Sequence, residues 1–263
     1  MISTTEIETS TVRQIPTLKD MQQVYQNYTT EDQKVWEILY TRQMKDLPHE
    51  ASVAFLDGLQ VAGFKSATIP DFAKVNNILG ELNGWEIVAV EGIIDDKLFF
   101  ELLSDKKFPA TTWLRKMSEL DYLEEPDMFH DVFGHVPLLT DNTVTDFLQA
   151  LSRIGAARAN NPAAIELLSR IYWFTIEFGL IRENGDLRIY GAGILSSVGE
   201  TKHSLSDAPL HFAYNLQQIL QTPYRKDTFQ DRYFIIDSYE QLLDSIEEIE
   251  AKLEESLADF ALN

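Results

Sequence analysis

The chain has no cysteine. That absence excludes disulfides, thiolate zinc centres, iron–sulfur clusters and cysteine nucleophiles, so any metal held here must take nitrogen and oxygen ligands. Basic residues are scarce as well: 22 Lys and Arg stand against 42 Asp and Glu, a net charge of −20. Nucleic acid and anionic membrane surfaces are met by clustered Lys and Arg, so neither is an expected partner. No apolar run reaches membrane-spanning length, and no basic segment leading into an apolar stretch opens the chain. A soluble cytoplasmic enzyme is the expectation. Residues 20–263 contain no repeat, low-complexity tract or linker. The run Gly191-Ala192-Gly193 lacks the Lys-Ser/Thr ending of a phosphate loop, and its small residues suggest close approach of backbone to a ligand.

What is present is an ordinary globular composition, 44% hydrophobic and 24% charged over 263 residues, enough to bury a substantial core. Residues 1–18, rich in Ser, Thr and Glu, read as a mobile N-terminal arm, and residues 19–263 as one catalytic domain. Helical periodicity follows a cap at Thr30, then recurs over 51–59, 70–82, 97–103 behind an Asp95 cap, 147–158, 163–180 and 239–260. Short strands are expected at 85–94, around an Asn184-Gly185 type I′ turn, and at 232–236. The fold class is mostly α with a few short β-strands (α+β). Adjacent Phe99 and Phe100 cannot face the same way on one helix, so one goes to the core and the other toward a cleft. The C-terminal stripe of Leu242, Ile246, Ile249, Leu253 and Leu257 should dock on its own domain.

Chemistry concentrates in Pro126-Asp127-Met128-Phe129-His130-Asp131-Val132-Phe133-Gly134-His135-Val136-Pro137-Leu138, which holds two of the five histidines. Pro126 suits the first turn of a helix, and Asp127 and Asp131 suit its positive end. Residues five apart on a continuous α-helix lie about 140° apart, too far to share one ion comfortably. A break at Gly134 would let a turn swing His135 back toward His130. Nearby in sequence, Arg115 by itself reads as a surface cation.

Glu177 lies within Ile171-Tyr172-Trp173-Phe174-Thr175-Ile176-Glu177-Phe178-Gly179-Leu180, a segment otherwise apolar on every face. Such a helix is buried, and a lone buried carboxylate is costly unless it is paired or bound to metal. Two imidazoles and a carboxylate form the ligand set of a non-haem Fe(II) oxygenase, with positions left open for O2 or substrate. The same set holds catalytic zinc in metallopeptidases, which usually carry His-Glu-x-x-His. Here Asp131 follows His130 and the spacing is five. With Phe99, Tyr172, Trp173, Phe174 and Phe178 at hand as an aromatic lining, this favours the oxygenase and leaves a zinc hydrolase as the alternative.

The histidine stretch, the Glu177 segment and Tyr190-Gly191-Ala192-Gly193-Ile194-Leu195-Ser196-Ser197 together resemble, in order and spacing, the pterin-dependent aromatic amino acid hydroxylases. The likeness covers about residues 30–239 and is greatest to bacterial members acting on phenylalanine. It implies that His130, His135 and Glu177 hold Fe(II), with Tyr172 close to the iron. It also implies a tetrahydropterin site in which Gly92, Ile93 and Ile94 offer backbone groups, Phe99 stacks on the ring and Asp131 stands nearby. Arg115 would pair with the substrate carboxylate, and Pro126, Trp173, Phe178, Gly193 and Ser196 would line the amino acid pocket. The implied reaction is hydroxylation of L-phenylalanine to L-tyrosine with O2; the same chemistry on tyrosine or tryptophan, or an amino acid sensor without enzymatic activity, are the rivals. Family members specific for tryptophan carry a smaller aromatic at the Trp173 position, so an indole there should crowd an indole substrate. Lys226 departs from the pattern, because its position is apolar in members acting on phenylalanine and acidic in those acting on tyrosine. The C-terminal helix lacks the family's tetramer-forming pattern, so a monomer is expected, or at most a dimer.

Overall fold

The computed structural model describes residues 21–121, 125–226 and 228–262, and the expected arm at residues 1–18 lies outside them. Helix α1 (Thr30–Gln43) begins in a capping box: Thr29 accepts from the Asp32 N–H while Asp32 accepts from the Thr29 N–H. The cap therefore sits one residue before Thr30, because only Thr29 has extended backbone from which its hydroxyl reaches back into the turn. Then come α2 (Leu47–Glu50), α3 (Val53–Val61) and α4 (Phe72–Leu82). Ser52 and Asp71 cap the last two, which start two residues later than the sequence pattern suggests.

Strand β1 (Glu86–Val90) leads through α5 (Asp96–Ser104) into β2 (Lys107–Thr111), which pairs parallel to β1 in a βαβ unit. Asp95 caps α5 by accepting from the Leu98 N–H. Phe100 is buried at 1% exposure while Phe99 is only half-buried, so the two rings divide between core and cleft. Strand β2 escapes the sequence reading because Pro109 sits within it. The strand tolerates a missing N–H because β1 is its only partner among the described residues.

The histidine segment forms a π-helical turn (Phe129–His135) running into a 3₁₀ turn (Val136–Thr140). Phe129 and Phe133 stack at 4.6 Å, and Trp36, Tyr40 and Phe55 abut Phe133 edge-on. This aromatic cluster anchors one side of the turn in the core and leaves the imidazoles on the other. Helices α6 (Asn142–Ala157) and α7 (Pro162–Tyr172) follow, and α7 passes directly into a second π turn (Trp173–Glu177). The expected helix over 163–180 thus ends in a π turn and then yields to a strand.

Strands β3 (Leu180–Glu183) and β4 (Asp186–Ile189) form the expected hairpin, with positive φ at both Asn184 (53°) and Gly185 (91°). The chain continues through α8 (Ala192–Leu195), α9 (Val198–Ser204), β5 (Leu210–Ala213), α10 (Leu216–Gln221) and β6 (Arg232–Ile236). The larger sheet has the order β4-β3-β6-β5, with β6 parallel to both neighbours. The C-terminal segment is two helices, α11 (Tyr239–Asp244) and α12 (Ile246–Leu262). Ser245 separates them: its hydroxyl bonds the Leu242 carbonyl at 2.7 Å and competes with the helical ladder. Ile249 and Leu253 of α12 are fully buried, and the helix packs on α6 and α7. Among the described residues no helix is long and apolar enough to cross a membrane.

Candidate active site

The two π turns carry the three suspected ligands to one point. His130 Nε2 and His135 Nε2 are 3.4 Å apart. Glu177 approaches both, with Oε1 at 3.1 Å from His135 Nε2 and Oε2 at 3.6 Å from His130 Nε2. A swing at Gly134 is not what brings the imidazoles together. Bonding from i to i+5 winds the chain more slowly than an α-helix, so side chains five apart come to lie on one face.

The bond of His130 to Ser196 settles its tautomer. The Ser196 hydroxyl donates to the Ala192 carbonyl at 2.8 Å, so its oxygen is free to accept from His130 Nδ1–H at 2.9 Å. With its proton on Nδ1, His130 presents a bare Nε2 to the centre. Burial alone would raise the Glu177 carboxyl. The facing His135 and His130 rings and a hydrogen bond from Tyr172 outweigh it and hold that carboxyl below its usual range. The Tyr172 hydroxyl is pushed well above its ordinary value by burial and by the Glu177 charge. Two imidazole nitrogens and an ionised carboxylate converge without a thiolate, a donor set that fits Fe(II).

A cavity of about 1300 Å³ opens from the triad. Gly92, Ile93, Ile94 and Phe99 line it, with Phe99 edge-on to Tyr172 at 5.2 Å. Asp131 stands beside them and accepts twice from Thr111, through its N–H and its hydroxyl, both at 2.8 Å. Burial raises the Asp131 carboxyl, although His130 and the Thr111 bonds pull against it. Pro126, Trp173, Phe178 and Gly193 line the cavity too, with the Trp173 and Phe178 rings 4.7 Å apart.

Arg115 is not a surface cation. Its guanidinium grips the fully buried Asp127 in a two-pronged pair, Nε to Oδ2 and Nη2 to Oδ1 at 2.9 Å each, and still lines the cavity. Asp127 also accepts from the Arg115 and His130 backbone N–H groups, which ties the cation to the start of the first π turn.

A model of the family described as biopterin-dependent aromatic amino acid hydroxylase matches residues 12–259. The chain belongs to this family. Among relatives, a phenylalanine-4-hydroxylase of Ralstonia nicotianae is 46% identical over 226 residues, covering 86% of this chain and 72% of the relative. A phenylalanine hydroxylase structure from Chromobacterium violaceum with bound iron(III) and 7,8-dihydrobiopterin superposes with TM-score 0.84. Its identity is 46%, over 90% of this chain and 85% of that one. An iron- and phenylalanine-bound structure of the same protein gives TM-score 0.84 at 45% identity, over 90% and 86%.

Several residues of this biopterin-dependent hydroxylase escaped the sequence reading. Asp127 was legible only as a helix-end carboxylate, because its partner Arg115 lies twelve positions away. Tyr224 stacks on Trp173 at 4.6 Å, and Gln230 accepts the Trp173 indole N–H at 3.0 Å; nothing near either one in sequence signals this. The glycine run also serves packing rather than a ligand alone. A Cβ on Gly134 would stand 2.9 Å from the Ala192 oxygen, and one on Gly193 would stand 2.7 Å from the Phe178 ring. Their bareness lets α8 approach both π turns, which is what sets Ser196 against His130.

Proposed function

We infer that this hydroxylase converts L-phenylalanine to L-tyrosine with O2, using Fe(II) and a tetrahydropterin. The observation that carries the substrate is the wall of Trp173 and Phe178 facing a cavity that Arg115 also lines. It is supported by relatives named phenylalanine-4-hydroxylase and by a similar structure holding iron and phenylalanine. Iron and tetrahydropterin, when bound, supply the electrons that allow O2 to react with a closed-shell aromatic ring. His130, His135 and Glu177 hold the metal and leave positions open beside it. The Tyr172 hydroxyl stands close to Glu177 and helps keep its carboxylate ionised. Gly92, Ile93 and Ile94 would meet the pterin with backbone groups and Phe99 would stack on it, with Asp131 nearby. Arg115, already braced by Asp127, has donors left for the substrate carboxylate. Pro126, Trp173, Phe178 and Gly193 shape the slot for the ring, and Ser196 serves it indirectly through His130.

Tyrosine would bring a phenol into this slot, and a site built for a hydroxyl normally presents a partner. Lys226 is the polar newcomer, and its Nζ lies 5.8 Å from the centre of the Tyr224 ring. A long flexible cation there serves the cavity mouth better than a buried phenol. Residues 19–263 act as the catalytic unit, in the cytoplasm, as a monomer with a dimer the alternative; sedimentation of the purified protein decides between those two. The activity test is competition among phenylalanine, tyrosine and tryptophan with Fe(II) and a tetrahydropterin. The highest kcat/KM is expected for phenylalanine, and a higher value for either rival overturns the assignment.

A further inference from the structure

Gln230 lies two residues before β6 and is 5% exposed. Its side-chain amide makes three hydrogen bonds, with both N–H donors and the oxygen engaged. The indole N–H of Trp173 can only donate, so Oε1 faces it at 3.0 Å. The carbonyls of Arg225 and Thr228 can only accept, so Nε2 faces them, at 2.8 and 3.3 Å. The amide therefore has one orientation, and its two ends serve different structures: the substrate wall, and the loop that carries Tyr224 and Lys226. The Gln230 backbone is fixed in turn. Its N–H donates to the buried Glu200, which also accepts from Tyr233, and its carbonyl meets the His203 ring at 2.9 Å. Trp173 is held between Tyr224 at 4.6 Å and Phe178 at 4.7 Å, so rotating the indole would disturb both faces of the slot.

We propose that Gln230 is a positioning residue that fixes the Trp173 ring against the substrate slot, and so sets the discrimination between phenylalanine and the larger tryptophan. This rests on the function inferred above, but its central measurement does not require turnover. Gln230→Met keeps volume and removes every amide hydrogen bond. In anaerobic Fe(II) enzyme it should weaken phenylalanine binding, read by calorimetry, about tenfold, since a partly buried indole donor loses its acceptor. KM should rise in parallel with kcat changed less than about threefold, and the tryptophan-to-phenylalanine ratio of kcat/KM should rise. In a Trp173→Phe background the same substitution should shift Kd by no more than about twofold, because no indole remains to be held. An equal shift in both backgrounds, or unchanged Kd and ratio in the wild-type background, overturns the proposal. Gln230→Glu keeps an acceptor for the indole, and its carboxyl, protonated in this buried position, can still donate to the Arg225 carbonyl, so the ratio should hold within about twofold of wild type. It decides alone if Gln230→Met yields no folded, iron-loaded protein, and a lost discrimination in that variant also overturns the idea. A wild-type enzyme that binds phenylalanine without hydroxylating it sinks the proposed function and leaves the Kd comparison intact.

Discussion

At the scale of single residues, the centre depends on side chains whose job is to aim another. The Ser196 hydroxyl oxygen accepts from the Nδ1–H of His130 and so leaves Nε2 bare. Partners of this kind typically tune metal affinity by about 10–100-fold. Ser196→Ala should therefore weaken iron binding by that order while the fold's melting temperature changes little, a comparison that iron titration and calorimetry make together. Phe99 is the half-buried ring of its pair and borders the cavity. An aromatic stacking contact is worth about 0.5–1.5 kcal/mol beyond burial, so Phe99→Ala should raise the pterin KM by roughly tenfold at most and spare iron content. A variant that loses stability while keeping its pterin KM would return Phe99 to the core.

Among elements, the two π turns and α8 form one assembly. An α-helix through Phe129–His135 would leave His130 and His135 about 140° apart, whereas the π winding sets them on one face. The stacked Phe129 and Phe133 rings and the close passage of Ala192 over Gly134 stabilise that wider turn from both sides. Gly134→Ala forces a methyl group to within 2.9 Å of a backbone oxygen that cannot rotate away. Overpacking of this sort costs about 1–3 kcal/mol, and here the strain falls on the ligand-bearing turn. Denaturant midpoints should drop accordingly, and iron occupancy should fall further than the occupancy of a surface variant of equal stability. Equal occupancy in the two would show that α8 does not brace the centre.

For the whole molecule, charge and pH are the levers. A net charge of −20 makes the folded state repel itself, so screening should stabilise it: the melting temperature should rise between low and moderate NaCl. A flat salt response would mean that local pairing already neutralises the surface. Glu200 adds a pH term. Burial raises its carboxyl above the ordinary value of 4.5, with the Tyr233 hydroxyl and the Gln230 N–H pulling the other way. Folding thus favours the protonated form. This contribution is complete below the unfolded value and is lost as pH rises through the raised folded one. Glu200→Gln cannot lose it, so the stability of wild type relative to this variant should decline with rising pH in that window. A pH-independent difference in chemical denaturation would refute the assignment.

Much of this was legible in the linear sequence, and the rest was not for one physical reason. Ligand identity, the absence of thiolates, the buried carboxylate in an apolar segment and the Asn184-Gly185 turn are properties of neighbouring residues, so the linear order determined them. The caps at Asp95 and the hairpin belong to the same class, since each is closed by bonds spanning three or four residues. The π winding does not. One extra residue in a turn is unfavourable locally and persists only because Trp36, Phe55 and Ala192, all distant in sequence, pack around it. The same holds for Arg115, a surface cation by composition, which became a braced cavity residue once the buried Asp127 met it in a two-pronged pair. Strand β2, with its proline, needed β1 beside it to exist as a strand. Tertiary structure alone decided these, because contacts between remote segments supply the free energy that local preference withholds.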